Sequence, residues 1–375
     1  MKLFSVFLFW MTLISGLSMV FCDLVLMYLP NSLKYLFWFI FSLSMGLGII
    51  RQHLLVFFLQ RLVSSVFVIF IIASCTFMLL RVLPGGPFDE EKALPPIVKA
   101  NIEKKYGLDK PVFEQYTSYI KGLVKGNLGY SYKYEGREVT EIIKDSFPVS
   151  FKLGFYALIL AFLIGIPLGL FAAAYYGTKL DSTSMIVAIS GISLPSFLVA
   201  PLLIYVFSFG WPINKLFPEF YQLLIDYDIL LPPALWHSPR HYILPVVTLG
   251  IRPAAFIARL TRSSVLDVIK SDFVRTARAK GLSERVVLFH HVLRNSLVPV
   301  LTYAGPLVAG ILSGSFIVEI IYAIPGIAKY FVQSVFNRDY PLIMALTLLF
   351  SVILILANLI VDILYKVVDP RIDVS

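Results

Sequence analysis

Four of the five histidines fall in two close pairs, and imidazole is the side chain best suited to hold a metal or move a proton near neutral pH. His237 and His241 stand four apart, a spacing that would put two ligands on one helical face. Ser238-Pro239-Arg240 lies between them, and the proline breaks the helix such a site would need. His290-His291 is a tandem on a helix where His290 shares a face with Val286, Leu293 and Leu297, the pattern of a packing histidine. No H-E-x-x-H occurs, and no G-x-x-x-x-G-K-[ST], so the usual cradle for nucleotide phosphates is missing. Cys22 and Cys75 sit inside apolar runs and read as small buried apolar side chains. These patterns supply no catalytic residue, no metal site and no cofactor site.

The segment 265–300 is richer. Ser271 or Asp272 is placed to cap a short helix through a side-chain oxygen, and Gly281 to close it in the left-handed conformation. At 100° per residue Phe273, Val274 and Ala277 share about a third of the circumference, with Arg275 and Arg278 on another side. Ser283 then caps a second helix running through Val286 and Leu293 toward Pro299. Two short helices with a small apolar face and a basic flank make a plug for a groove on a soluble partner.

The rest of the chain must position that loop, and it is built for a bilayer. Of 375 residues 58% are hydrophobic and only 15% charged, with a mean hydropathy of +0.82. Such a chain lacks the polar surface to cover itself in water, and two cysteines exclude a disulfide scaffold. A span needs about 20 mostly apolar residues, and eight stretches come close: 3–22, 35–51, 61–81, 153–176, 184–209, 242–262, 297–320 and 342–366. The first two predict an extra hairpin turned at Leu29-Pro30-Asn31-Ser32. A cleaved leader and a helix pair lying in the interface are the alternatives, the leader disfavoured by the large Met19, Val20 and Phe21 before Cys22.

Charge orients the spans. Between Arg259 and Arg294 lie eight basic residues and three acidic ones, a balance of +5 against +9 for the chain. Arg51, Arg61 and Lys179 fall in connections on the same side, which the positive-inside rule makes cytoplasmic, with both termini. The opposite loop, 82–150, carries ten basic and ten acidic residues; Val112, Tyr116, Tyr119, Ile120 and Leu123 recur in it at helical spacing, predicting a small helical cap. A second outer loop, 210–241, is rich in Trp, Tyr, Phe and Pro.

Ion-coupled carriers bury charged groups at mid-membrane, because the coupling ion needs a counter-charge. The candidates Glu319, Asp362 and Arg252 form no evident acid–base relay, so the engine is expected in a partner. Gly165-x-x-x-Gly169 and Gly310-x-x-x-Gly314 predict close helix packing, and Pro195 and Pro201 a kink in the fifth span. The small side chains of Ala309-Gly310-Ile311-Leu312-Ser313-Gly314-Ser315 also suit the wall of a wide path; Gly310, Ser313, Gly314 and Ser315 are the candidate lining residues.

Phe273-Val274-Arg275-Thr276-Ala277-Arg278-Ala279-Lys280-Gly281-Leu282-Ser283, followed by His291, Arg294-Asn295 and Pro299, resembles the cytoplasmic signature loop of ABC-importer permeases of the dipeptide, oligopeptide and nickel branch. Arg275 and Thr276 replace the Glu and first Ala of the older pattern. The likeness runs from about Gln60 to Asp373 and takes in Arg81-Val82-Leu83-Pro84-Gly85, Tyr106-Gly107-Leu108-Asp109-Lys110-Pro111, Arg338-Asp339-Tyr340-Pro341 and Asp369-Pro370-Arg371-Ile372. Leu94-Pro95-Pro96 through Asn101-Ile102-Glu103, Phe147-Pro148-Val149-Ser150 and Ser313-Gly314-Ser315 are most similar to the B-type oligopeptide subunit.

The resemblance implies an all-α polytopic membrane protein of the cytoplasmic membrane, a MetI-like type I importer core of six helices over 56–375, with 1–55 added in front. It implies Phe273 to Ser283 as the ATPase-coupling element within a cytoplasmic loop 259–296. It implies a homologous C-type permease, two cytoplasmic ATPases that bind ATP and Mg, an external peptide-binding protein and a peptide substrate, with no nucleic acid and no catalysis in this chain. A dipeptide or nickel permease and an ion-coupled carrier are the rival readings.

Overall fold

The computed structural model describes residues 52–83, 85–88 and 95–368, and the chain divides into two compact units, 1–66 and 67–375. The expected hairpin over 1–55 lies outside the described residues except for its last four positions. Those begin helix α1, Gln52–Val82. Among the described residues everything regular is helical, apart from one isolated bridge between Tyr130 and Glu138.

Prolines start many of the helices, because the ring pre-sets φ and the missing N–H would have no partner in the first turn. Pro96 opens α2 (Pro96–Lys105), and α3 (Val112–Val124) follows Pro111. Next come α4 (Val139–Ala174), α5 (Lys179–Ser193), and α6 (Ser196–Phe207), which follows Pro195. The outer loop holds α7 (Ile213–Leu216) and α8 (Pro218–Asp226), and Pro239 opens α9 (Pro239–Val268). Beyond these lie α10 (Asp272–Ala279), α11 (Glu284–Val286), a π-helical turn Val287–Val292, and α12 (Leu293–Leu312). The chain ends with α13 (Phe316–Ile321), α14 (Ala328–Phe336) and α15 (Tyr340–Val368).

Among the described residues five stretches are long and apolar enough to cross a membrane: Arg61–Val82, Val139–Ala174, Pro239–Val268, Glu284–Ile321 and Tyr340–Leu364. The expected span 184–209 is instead α5 and α6, bent by 110°. Leu194 is extended at the break, as a residue before proline is pushed to be, so the predicted kink is a full corner.

The packing shows that this bent pair crosses the bilayer. Gly250 of α9 lies against Ala157 and Leu160 of α4; further on, Gly165 lies against Ala254 and Ile257, and Gly169 against Ala258 and Thr261. Both numbers rise together, so α4 and α9 run parallel. The chain between them must therefore return across the membrane, and α5–α6 is the only apolar segment there. α5 runs antiparallel to α9, with Asp181 on Arg262 and Gly191 on Ile251. Six crossings follow, matching the core expected from 61 onward.

The predicted close packing at Gly165 and Gly169 is present: a Cβ at Gly169 would stand 2.4 Å from the Ala258 carbonyl oxygen. Around this seam Ala157, Ala161, Ala254 and Ile257 join Val300, Leu307, Leu346 and Ile353 in the main core. The second predicted pair does not pack helices, since a Cβ at Gly310 would meet nothing within 4 Å. The helical cap predicted around Tyr116 and Tyr119 is α3, whose two tyrosines lie on Phe77 of α1.

Candidate functional site

Helix α9 ends at Val268, and α10 starts four residues later. Ser271 occupies the N-cap position, but its hydroxyl donates to the Val268 carbonyl at 2.6 Å instead of capping. Ser283 stands at the N-cap of α11 with no side-chain cap bond either. The expected side-chain caps are therefore not made, and the backbone and α10's other end fix the geometry.

That other end is a Schellman motif. Gly281, at φ +78°, donates its N–H to the Arg278 carbonyl at 2.9 Å, and Leu282 donates to the Ala277 carbonyl at 3.4 Å. Arg278 then reaches over the turn and grips both carboxylate oxygens of Glu284, at 2.8 and 3.1 Å. α10 and α11 are thus tied by a glycine corner and a two-pronged ion pair, and Arg278 makes that pair from the exposed side of α10.

The apolar face is also corrected. Val274 and Ala277 are 0% and 5% exposed and face the chain's own helix ends, against Leu170, Ala173, Val265, Val287 and Val292. They anchor α10 to the bundle. What α10 and its turn present outward is Phe273, 45% exposed, and Leu282, 39% exposed, among Arg275, Thr276, Ala279, Lys280 and Ser283. Thr276 is occupied locally, donating to the Asp272 carbonyl at 2.9 Å.

The π-turn Val287–Val292 carried no sequence signal, and it shifts the phase of the following helix. Val287 and Val292 are buried, while His290, expected on the packed face, is exposed. Sequence reading also missed the latch behind the loop. Arg262, counted there as a loop charge, belongs to α9 and holds Asp181 of α5 through Nε and Nη2 at 2.6 and 2.7 Å. The Gly177 N–H donates to the same carboxylate at 3.1 Å, and the Tyr176 ring lies 5.4 Å from the guanidinium.

The small-residue run 309–315 joins α12 to α13. Gly310 is exposed, and the Ser313 hydroxyl donates to its carbonyl at 3.0 Å. Gly314, at φ +89°, is hemmed in by Glu319, Ala328 and Ser150; Ser315 is half-buried at the start of α13. Glu319 is 1% exposed and accepts from the Ser150 hydroxyl at 2.6 Å and the Ala328 N–H at 3.0 Å, while Ser150 Oγ accepts from Ile327 N–H at 2.8 Å. Of the four candidates, Gly310 faces open space and Gly314 faces this hub.

At the opposite end, three of the quoted motifs meet. Arg81 donates to the Gln115 side chain at 2.7 and 3.2 Å, and its guanidinium stands 4.4 Å from the Phe77 ring and 5.2 Å from Tyr340. Tyr132 packs on Tyr106 and Tyr340, at ring distances of 4.7 and 6.3 Å. The buried Asp339 accepts from Ser131 Oγ at 2.5 Å and from the Tyr132 N–H at 3.1 Å. Burial pushes the Tyr132 phenol up to about 12. Among the described residues no cluster of histidine, cysteine or carboxylate side chains is fit to hold a metal ion.

Residues 165–374 match the family described as binding-protein-dependent transport system inner membrane component, and 54–154 match its N-terminal companion. The chain belongs to this family. The permease is 43% identical over 84% of its length to the dipeptide transport system permease protein DppB of Bacillus subtilis, covering 97% of that protein. It is likewise 43% identical over 85% of its length to the oligopeptide transport system permease protein OppB of Salmonella typhimurium, covering 99%. The OppB protein of Haemophilus influenzae is 40% identical over the same share, with 99% of it covered.

Proposed function

We propose that this permease is the membrane-spanning subunit of an ATP-driven peptide importer, forming half of the translocation path and joining it to cytoplasmic ATPases. The observation that carries the reading is the 43% identity, over 84% and 85% of the chain, to a dipeptide and an oligopeptide permease. The loop geometry supports the coupling part: α10 is fixed to the bundle by Val274 and Ala277 while Phe273 and Leu282 stand free for a partner. A push on the outer face of α10 is then delivered to α9 and α4 as a rigid-body movement rather than absorbed by a slack loop.

The partners are a homologous C-type permease, two ATPases that bind ATP and Mg, and an external peptide-binding protein. ATP closes the ATPase dimer, the coupling helices ride with it, and the path opens outward; release inward follows hydrolysis. In these terms nucleotide favours one of two states and the loop carries the preference. Gly310, Ser313, Gly314 and Ser315 remain path-lining candidates, Gly310 with most room. The +5 balance of 259–294 supports a cytoplasmic loop, with both termini on that same side.

The test is reconstitution of the purified complex in proteoliposomes. Uptake of a labelled tripeptide that needs internal-face ATP and proceeds without an ion gradient supports the reading. Uptake by the chain alone, driven by an ion gradient, would overturn it. Uptake of dipeptides in preference to longer peptides would move the assignment within the branch.

A further inference from the structure

Arg252 lies in the middle of α9, thirteen residues after Pro239 and sixteen before Val268. At about 1.5 Å per residue this puts it within a few Å of the centre of a hydrocarbon core about 30 Å thick. Arg259, seven residues on, is offset by only about 20° around the helix, so both guanidinium groups project from one face. Both residues are exposed. Among the described residues neither has a carboxylate partner.

The neighbouring face of α12 continues the same surface. Asn295, Pro299, Thr302, Pro306 and Gly310 are exposed at helical spacing. The two faces meet where the Phe256 and Tyr303 rings lie 4.2 Å apart, with Arg259 5.5 Å over Phe256 and Arg252 in electrostatic reach of Tyr303. Guanidinium groups turned to lipid at this depth are costly, and intramembrane charges face water-filled cavities or partners. A surface with two of them beside Thr302 and Gly310 is not a lipid surface.

We propose that Arg252 and Arg259 line the inner half of the translocation path and receive the C-terminal carboxylate of the peptide in passage. This rests on the peptide-importer reading. A free peptide has one carboxylate whatever its sequence, and a guanidinium pairs with it through two parallel hydrogen bonds. Two such groups two turns apart offer successive stations for the same handle. The small and polar residues of α12 leave the variable side chains unread, so the path grips what all peptides share.

The experiment measures uptake by the complete reconstituted complex of a tripeptide and of its C-terminal amide, each variant compared with wild type on the same peptide. Arg252→Gln is expected to lower free-acid uptake about tenfold and amide uptake less than twofold; Arg252→Lys retains part of the free-acid rate. Arg259→Gln acts in the same direction. Equal losses on acid and amide, or no loss on either, would overturn the proposal. If wild type refuses the amide, free-acid uptake kept by Arg252→Lys and lost in Arg252→Gln supports it, and equal loss overturns it. Failure of both Arg252 variants to co-purify with the second permease would overturn it in favour of a carboxylate on that subunit. A wild-type complex that moves no peptide would remove the importer reading before any variant is compared.

Discussion

Asp181 and Arg262, 81 positions apart, close into a two-pronged ion pair of 2.6 and 2.7 Å where the bent span enters the bundle. The carboxylate side chain is 6% exposed and the guanidinium side chain 24%. Removing one partner leaves the other charge with little water to replace it, whereas removing both does not. Asp181→Ala is expected to cost on the order of 3 kcal/mol, and the double variant Asp181→Leu with Arg262→Met much less. Thermal melting of the complex in detergent compares them. A double variant as damaged as the single one would mean that the pair is not the source of the loss.

At Gly281 the neighbourhood is open, with nothing within 4 Å of an added Cβ, but φ is +78°. Only backbone strain opposes substitution, about 1 kcal/mol for a side chain held in the left-handed region. Gly281→Asn should be nearly silent, Gly281→Ala mild, and Gly281→Val worst because branching at Cβ crowds this conformation. The expected phenotype of Gly281→Val is normal insertion and pairing with weakened peptide-stimulated ATP hydrolysis. Unchanged stimulation would show that the α10–α11 corner does not transmit the signal.

Phe273 and Val274 are adjacent and opposite in role. Val274→Ala removes buried methyl groups between α10 and the helix ends and should destabilise by about 2 kcal/mol. Phe273→Ala removes a half-exposed ring and should leave melting unchanged while lowering the amount of ATPase that co-purifies. If the two variants behave alike in both assays, the division into an anchoring face and a docking face fails.

The outer aromatic cluster should respond to alkali. Burial pushes the phenols of Tyr119 and Tyr132 up to about 12 from an ordinary value near 10. The folded state thus keeps these protons longer than the unfolded chain does. The associated stability is complete below about pH 10 and is lost as pH climbs toward about 12. Melting of wild type and Tyr132→Phe between pH 8 and 11.5 checks this: the variant should lose less stability across the upper part of that range. Parallel curves would assign the alkaline loss elsewhere.

Span positions were legible in the sequence because apolar length is a direct signal; among the described residues five spans stand where hydropathy puts them, and the bent pair α5–α6 occupies the stretch expected as the other. Gly165 and Gly169 were legible as a packing seam for a similar reason, since a bare backbone can do little else in lipid. The corner at Leu194-Pro195 was read as a kink because a proline announces a break without giving its angle. Val274 was read on the wrong side. Helical periodicity finds an apolar face but does not say whether it meets the chain's own helices or a partner. The Asp181–Arg262 pair and the meeting of Arg81, Tyr132 and Asp339 join residues far apart in the chain, where no local pattern reaches.

The parallel course of α4 and α9 has a consequence for biosynthesis. Two adjacent antiparallel helices can enter a membrane as a hairpin and pack at once; a parallel pair cannot. Ala174, where α4 ends, and Pro239, where α9 begins, are separated by the whole bent span and the outer aromatic loop. At about 5–20 residues per second, a ribosome takes several seconds to make that stretch. Through that interval Gly165 and Gly169 wait beside the insertion site with their seam empty. The nascent chain thus carries a vacant groove that its own later helix must fill before a neighbouring protein's helix does.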